Sequence, residues 1–176
     1  MNRNVLMVMF VVVLTVFGGC ASPANRDAMS VAGPVVRQPI GATVSVETRG
    51  GAETDAVGVS NVSDADFKAA IESSILKTRL FKSVAPGKGG DYELSVVISD
   101  VRKPIFGASF TVDMEAGWSL VKAADKSVVM RKVIKSTHTV GAFESFAGAT
   151  RLRLALEGAA RKNIEQGLRA INELGN

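Results

Sequence analysis

Cysteine and histidine, the residue types that most often act as nucleophiles, acid–base groups or metal ligands, each occur once in the 176-residue chain, as Cys20 and His138. Nucleophilic triads and most zinc sites require a histidine with suitably placed partners. His138 stands between Thr137 and Thr139 in a segment of strand-like alternation, which favours a partly exposed strand histidine. We therefore expect no enzyme activity, no metal and no cofactor.

Charged side chains offer two further candidates for chemistry. Asp113 and Glu115 share one face of a predicted strand and could form a pair of catalytic carboxylates. That face is the polar one, so we expect these charges mainly to keep the sheet soluble. A basic group near the C-terminus is expected to be a solvated helix face, with lipid head groups or an acidic partner as the alternative contact. Its members are Arg151, Arg153, Arg161 and Lys162.

Three phenylalanines stand in predicted loops, where a large aromatic ring either caps the core or marks an interaction patch. Phe106 follows Ile105 in one connection, and Phe143 and Phe146 lie together in a Gly/Ala-rich segment. Capping is the commoner role and the one we expect first. If both loops lie at one end of the sheet, Phe106, Phe143 and Phe146 become a candidate patch for a protein partner or a lipid.

The N-terminal residues have the pattern of a secretory signal peptide. A short positively charged start precedes an almost entirely apolar run over residues 5–17, which Gly18-Gly19-Cys20 closes. The run is shorter than the roughly 20 residues that a membrane-spanning helix needs, so a retained membrane anchor is the less favoured alternative. We predict that residues 1–19 are removed as the signal peptide.

Cys20 and the residues before it, Phe17-Gly18-Gly19, resemble the lipobox of bacterial lipoproteins, in which small residues precede a cysteine that becomes the lipidated N-terminus. The match departs at Phe17, where an aliphatic residue is usual. Lipidation also accounts for a single cysteine, because an exported chain with one cysteine cannot form an internal disulfide. The resemblance implies that Cys20 carries a lipid and holds the protein to a membrane. A stray cysteine after an ordinary signal peptide is the alternative.

The residues after Cys20 indicate the location. Ala21 and Ser22 follow it, whereas lipoproteins kept in the inner membrane of enteric-type bacteria often carry Asp there. By that resemblance we expect the protein at the periplasmic face of the outer membrane. Removing the signal peptide lowers the side-chain charge only from +4 to +3, because Arg3 is its single charged residue. This small charge, with scattered Lys and Arg, argues against a nucleic-acid partner.

The mature chain divides into a tether and one domain. Residues 20–38 are small, polar and interrupted by Pro23 and Pro34, and we expect a flexible tether behind the lipidated cysteine. Residues 39–176 form the predicted globular domain. Four strands are predicted from alternating apolar and polar residues, over 40–47, 92–99, 110–120 and 127–140.

Two helices complete the predicted domain. Ser63 is an N-cap followed by apolar residues at helical spacing, and a long helix covers residues 150–174. The last strand alternates poorly, which indicates an edge or a twisted position. The order β-α-β-β-β-α predicts an α+β two-layer domain, with a four-stranded, mainly antiparallel sheet and both helices on one face.

This pattern resembles a broad set of small proteobacterial envelope lipoproteins. The residues that carry the resemblance are Leu80-Phe81, Asp91-Tyr92-Glu93-Leu94, Trp118 and Ala160-Arg161-Lys162-Asn163-Ile164. The resemblance implies a non-enzymatic accessory protein that binds another envelope component. A lipid-binding or lipid-transport module is the alternative, and a hydrolase is less favoured because the chain has one histidine. An apolar cavity beneath the helices would indicate the lipid module, whereas a filled core with an exposed aromatic patch would indicate the accessory protein.

Overall fold

One mixed sheet with helices on one face makes up the part of the chain that the computed structural model describes, residues 22–33, 39–54 and 60–175. Its elements are α1 (Arg26–Met29), β1 (Ile40–Arg49), α2 (Asp64–Thr78), β2 (Phe81–Val84), β3 (Tyr92–Arg102), β4 (Phe110–Lys122), β5 (Val128–Val140), α3 (Gly148–Asn172) and a 3-10 turn (Glu173–Gly175). The strand order is β2-β1-β3-β4-β5. The α+β class is confirmed, but the prediction of four mainly antiparallel strands was wrong in its details.

The difference arises at β1, which is parallel to both of its neighbours, whereas β3, β4 and β5 pair antiparallel. A strand, a helix and a second strand in sequence favour parallel pairing, because the helix carries the chain back to the starting end. Ile40 of β1 pairs with Phe81 of β2, and Val44 pairs with both Val84 of β2 and Tyr92 of β3. β2 therefore covers only the first half of one edge of β1.

The short connection from β2 to β3 crosses β1 and is fixed there by hydrogen bonds. The Asp91 carboxylate accepts from both the backbone N–H and the hydroxyl of Thr43, each at 2.8 Å. These hydrogen bonds lower the pKa of Asp91 from its ordinary value. Gly90 passes so close to β1 that an added Cβ would lie 2.6 Å from the Ser45 nitrogen, so a side chain there would collide with backbone.

Both long helices pack on the apolar face of the sheet. Ser63 caps α2 as predicted, since its hydroxyl accepts the N–H of Asp66 at 3.1 Å. The whole predicted apolar face of α2 is buried, namely Phe67, Ala70, Ile71, Ser74, Ile75 and Thr78. On β4 the predicted alternation is confirmed by the buried residues Phe110, Val112, Met114, Ala116, Trp118 and Leu120. β5 lies at the sheet edge, as its weaker alternation indicated.

Residues 22–31, which we call the N-terminal strap, are packed between the helices. Met29 is fully buried, and Ala24 and Val31 are also part of the core. The backbone N–H of Asn25 donates to Glu157 of α3 at 2.8 Å, which ties the strap to the last helix. The expectation of a flexible tether over residues 20–38 therefore does not fit its described part, because irregularly spaced apolar residues dock between the helices. Residues 34–38 lie outside the described part.

Candidate functional site

Cys20, the residue with the clearest predicted chemistry, lies outside the described residues, so its lipidation stays a prediction. Among the residues that the structure does describe, no three His, Cys, Asp or Glu side chains are grouped to hold a metal ion. No helix in residues 22–33, 39–54 and 60–175 is long and apolar enough to cross a bilayer.

His138 lies on the helix-facing side of β5, partly exposed and against Gly158 of α3. A Cβ at position 158 would lie 1.9 Å from the Cδ2 of the imidazole, so the ring occupies the space that this glycine leaves. Burial lowers the pKa of His138 from 6.5, and the positive charges of Lys162 and Arg161 lower it further. The negative charge of Glu144 raises the pKa but does not offset them. The imidazole is therefore neutral near pH 7, and its observed role is to pack helix on sheet.

Asp113 and Glu115 lie on the face of the sheet that no helix covers, which we call the open face. The Thr137 hydroxyl donates to Asp113 at 2.6 Å, and Lys135 forms an ion pair with Glu115 at 2.9 Å. The hydrogen bond from Lys135 is the main cause of a lowered Glu115 pKa. Both carboxylates are therefore engaged by side chains of β5, as surface charges of a sheet commonly are.

The basic group on α3 serves several separate contacts. The Arg151 guanidinium lies 5.3 Å from the centroid of the Phe110 ring, and Arg153 forms an ion pair with buried Glu157 at 2.7 Å. The Lys162 ammonium donates to the Thr137 carbonyl at 2.9 Å. The contacts of Arg151 and Lys162 tie α3 to the sheet, so the expected solvated face is only part of what these side chains do.

The three loop phenylalanines do not cap the core. Phe106, Phe143 and Phe146 are 86%, 98% and 100% exposed, and Ile105 beside Phe106 is 93% exposed. We call these four residues the apolar end. The expectation that the rings cap the core was wrong, because Phe110 and Val140 at these strand ends are already buried while the three rings stay exposed.

The layer between helices and sheet is filled with side chains. Trp118 lies at its centre and donates its indole N–H to Asn163 at 2.9 Å, with both residues fully buried. Phe67, Leu156 and Ile164 are fully buried around the same layer. A cleft of about 400 Å³ lies elsewhere, along the surface of β1, β3 and β4, and charged side chains of both signs line it.

A row of small and apolar residues crosses the open face. Val97 of β3 pairs with Gly117 of β4, which in turn pairs with Val133 of β5. The two valines are 44% and 57% exposed, and the glycine leaves a shallow depression between them. We call these three residues the valine row. Sequence reasoning missed it, because the row exists only through the register of three strands.

Structural comparison shows that the fold occurs in other bacterial proteins. Protein XCC0632 from Xanthomonas campestris, of the family DUF330, has a TM-score of 0.68 at 12% identity, over 88% of this chain and 97% of its own. Hypothetical protein CT253 from Chlamydia trachomatis has a TM-score of 0.52 at 7% identity, over 74% and 98%. A minor lipoprotein from Acinetobacter baumannii has a TM-score of 0.44 at 8% identity, over 76% and 94%. No protein-family model and no curated protein matches the chain.

Proposed function

We propose that this chain is a lipid-anchored accessory protein of the cell envelope, which works by binding another envelope protein and not by catalysis. Cys20 carries the lipid, and the domain faces the periplasm from the outer membrane. The lipobox-like residues before Cys20 and the apolar run that precedes them support the anchor. The absence of Asp at positions 21 and 22 supports the outer membrane.

The observation that carries the binding role is the valine row on the open face. Helices cover the other face, so a partner can reach three neighbouring strands only from this side. Val97 and Val133 supply an apolar centre, and Gly117 lets a partner side chain approach the backbone. An apolar centre with a charged rim is the usual composition of a protein–protein interface.

The charges around the row favour a protein partner over a lipid. Acidic and basic groups alternate there, with the ion pairs Lys135–Glu115 at 2.9 Å and Lys126–Glu93 at 2.8 Å. A surface of mixed sign suits a partner that also carries both signs, whereas anionic head groups favour a uniformly basic surface. Among the described residues, the layer around Trp118 is filled with buried side chains, which supports a protein partner over lipid transport.

The binding role is tested by site-specific photo-cross-linking in intact cells. We expect p-benzoylphenylalanine at position 133 to yield a discrete adduct with an envelope protein. Leu76 on α2 is 54% exposed, close to Val133 at 57%, and provides the matched control position on the helix side. The absence of an adduct from position 133, or the same adduct from position 76, would contradict the proposal.

A second variant separates binding from folding. A Cβ added at Gly117 meets no atom closer than the Val97 carbonyl oxygen at 4.0 Å, so Gly117→Gln fits the folded domain. We expect Gly117→Gln to have the same unfolding temperature as the wild type. We expect it to reduce the yield of the cross-linked adduct from position 133 at least fivefold. An unchanged adduct would show that the partner does not cover the valine row.

The anchor is tested with Cys20→Ser. We expect this variant to remain unprocessed and unlipidated, while the wild type is cleaved before Cys20 and separates with outer-membrane vesicles on a density gradient. Unchanged processing of Cys20→Ser would contradict the lipid anchor. Wild-type protein in the inner-membrane fraction would contradict only the location.

A further inference from the structure

Two loops project large apolar side chains into solvent from the same end of the sheet. The first, residues 103–109, joins β3 to β4 and carries Ile105 and Phe106; the second, residues 141–147, joins β5 to α3 and carries Phe143 and Phe146. Phe110 at the start of β4 pairs with Val140 at the end of β5. The first loop ends just before this pair and the second begins just after it, so the apolar end is one surface.

The second loop is held against the sheet by Arg151 of α3. Its guanidinium donates to the Ser145 carbonyl at 2.6 Å and lies over the Phe110 ring, 5.3 Å from the centroid. Glu144 adds a further link by accepting the Gly141 N–H at 2.7 Å. These contacts fix the loop backbone while Phe143 and Phe146 stay exposed. Burial of these rings therefore requires something outside the domain.

The N-terminal strap begins at this same end. The Ser60 hydroxyl donates to the Ser22 carbonyl at 2.7 Å, and the Ala24 N–H donates to the Asn61 carbonyl at 3.3 Å. Lys103, in the first loop, donates to the carbonyl of Ser60 at 3.2 Å and to the side chain of Asn61. Ser22 and Lys103 thus share Ser60 as a hydrogen-bond partner, and Ala24 and Lys103 share Asn61.

The short length of chain before Ser22 limits how far from the apolar end a lipid on Cys20 can enter a membrane. Cys20 stands two positions before Ser22, with Ala21 between them, and an extended chain spans at most about 7 Å over two residues. A lipid on Cys20 therefore enters its membrane beside loop 103–109, which brings the neighbouring exposed rings to the bilayer surface.

We infer that the apolar end is a membrane-contact surface: Ile105, Phe106, Phe143 and Phe146 enter the boundary between head groups and acyl chains beside the lipid of Cys20. The inference rests on the lipid anchor of the proposed function. Aromatic side chains are favoured at this boundary. A lipid anchor combined with a second membrane contact also binds more stably than one contact alone. The contact fixes the orientation of the domain and turns the open face sideways, parallel to the membrane normal.

The test uses the full lipidated protein in vesicles of phosphatidylethanolamine and phosphatidylglycerol, with or without dibrominated acyl chains that quench tryptophan on contact. Phe146→Trp and Ile105→Trp place a reporter in each loop. The single native tryptophan, Trp118, is fully buried and gives the background. Leu76→Trp, on the outer face of α2, is the matched exposed control.

We expect brominated lipid to reduce the added emission of Phe146→Trp and Ile105→Trp at least twofold, and to leave Leu76→Trp and the wild type unchanged. Flotation of the vesicles reports attachment separately. Protein that floats without quenching in either loop contradicts the membrane contact and leaves the anchor intact, as expected if a protein or a second copy covers the end. Quenching in one loop only contradicts the shared surface. Failure of the wild type to float contradicts both the anchor and the membrane contact.

Discussion

The indole N–H of Trp118 on β4 donates a hydrogen bond to Oδ1 of Asn163 on α3, at 2.9 Å and with both side chains fully buried. The Asn163 amide in turn donates to the Ile134 carbonyl of β5 at 3.0 Å. One asparagine therefore joins the last helix to two strands. Because these groups are out of reach of water, each depends on the other for its hydrogen bond.

Asn163→Leu keeps the branched shape and the number of heavy atoms of the side chain but leaves the Trp118 N–H and the Ile134 carbonyl without this partner. We expect a loss of about 2–4 kcal/mol in the free energy of unfolding, since each buried polar group left unsatisfied costs about 1–3 kcal/mol. Urea unfolding followed by Trp118 fluorescence measures it. Asn172→Leu, at the end of the same helix, is the control. A loss below about 1 kcal/mol for Asn163→Leu would contradict this role of the hydrogen bonds.

Gly167→Ala tests the close approach of α3 to the sheet. Its Cβ would lie 2.5 Å from Cε2 of the buried Trp118 ring. Alanine favours a helix by about 1 kcal/mol over glycine. Overpacking a filled core costs about 1–3 kcal/mol. We expect a net loss of up to about 2 kcal/mol in the free energy of unfolding, measured with urea.

Gly148→Ala is the matched variant for this test, because a Cβ at position 148 meets its nearest atom at an ordinary 3.8 Å. It should be as stable as the wild type or slightly more stable. Equal stability of Gly167→Ala and Gly148→Ala would show that α3 can move away from Trp118.

Glu157→Ala should loosen the N-terminal strap. Its carboxylate accepts the Asn25 N–H at 2.8 Å and pairs with Arg153 at 2.7 Å, so the variant removes the acceptor that both groups use. A hydrogen bond to a charged group contributes about 1.5–3 kcal/mol, which corresponds to roughly tenfold or more in the opening of the strap. Trypsin cleavage after Arg26, followed by mass spectrometry, measures that opening.

Glu165→Ala is the control for the strap, since Glu165 pairs with Arg169 on an exposed surface of the same helix. Its cleavage rate should match the wild type. If Glu157→Ala is cut after Arg26 no faster than Glu165→Ala, the strap is held mainly by the burial of Met29.

His138 should make stability depend on pH below neutrality. Burial, with the charges of Lys162 and Arg161, lowers its pKa in the folded state from 6.5, while Glu144 opposes them. The unfolded chain therefore binds the proton first as the pH falls, and the free energy of unfolding decreases from about pH 6.5 down to the folded pKa. Above that window the contribution is constant.

His138→Gln removes this titration. We expect the stability of the wild type relative to His138→Gln to be smaller at pH 5 than at pH 7.5, when both are measured by urea unfolding. Both proteins carry the same carboxylates, so the contribution of these groups to the pH dependence of stability cancels in the comparison. An unchanged or larger difference at pH 5 would contradict the lowered pKa.

The sequence predicted the parts of the fold in which one element alone determines its buried face. In a two-layer domain each helix or strand buries one side, so its apolar spacing reports that side directly. The face of α2 around Phe67 and the alternation of β4 around Trp118 are examples.

The elements that the sequence did not predict depend on contacts between distant segments. β2 has only four residues, and exposed Lys82 interrupts its apolar character. Met29 of the strap is buried in a pocket between two helices. The strap residues have no apolar repeat that would indicate this burial. The valine row and the apolar end both depend on the register between neighbouring strands. The alternation of apolar and polar residues within one strand carries no information about that register. Sequence alone therefore identified Phe106, Phe143 and Phe146 as candidates but not their exposure.

Asn25 and Glu157, which share a hydrogen bond, are 132 positions apart in the sequence. This separation determines when the bond can form as the chain emerges. A chain exported from its N-terminus delivers Asn25 first, when its acceptor has yet to cross the membrane. The strap must wait until α3 arrives, so the domain can close only near the end of translocation. Under the proposed export and lipid anchor, the strap is thus among the first segments to emerge and the last to settle.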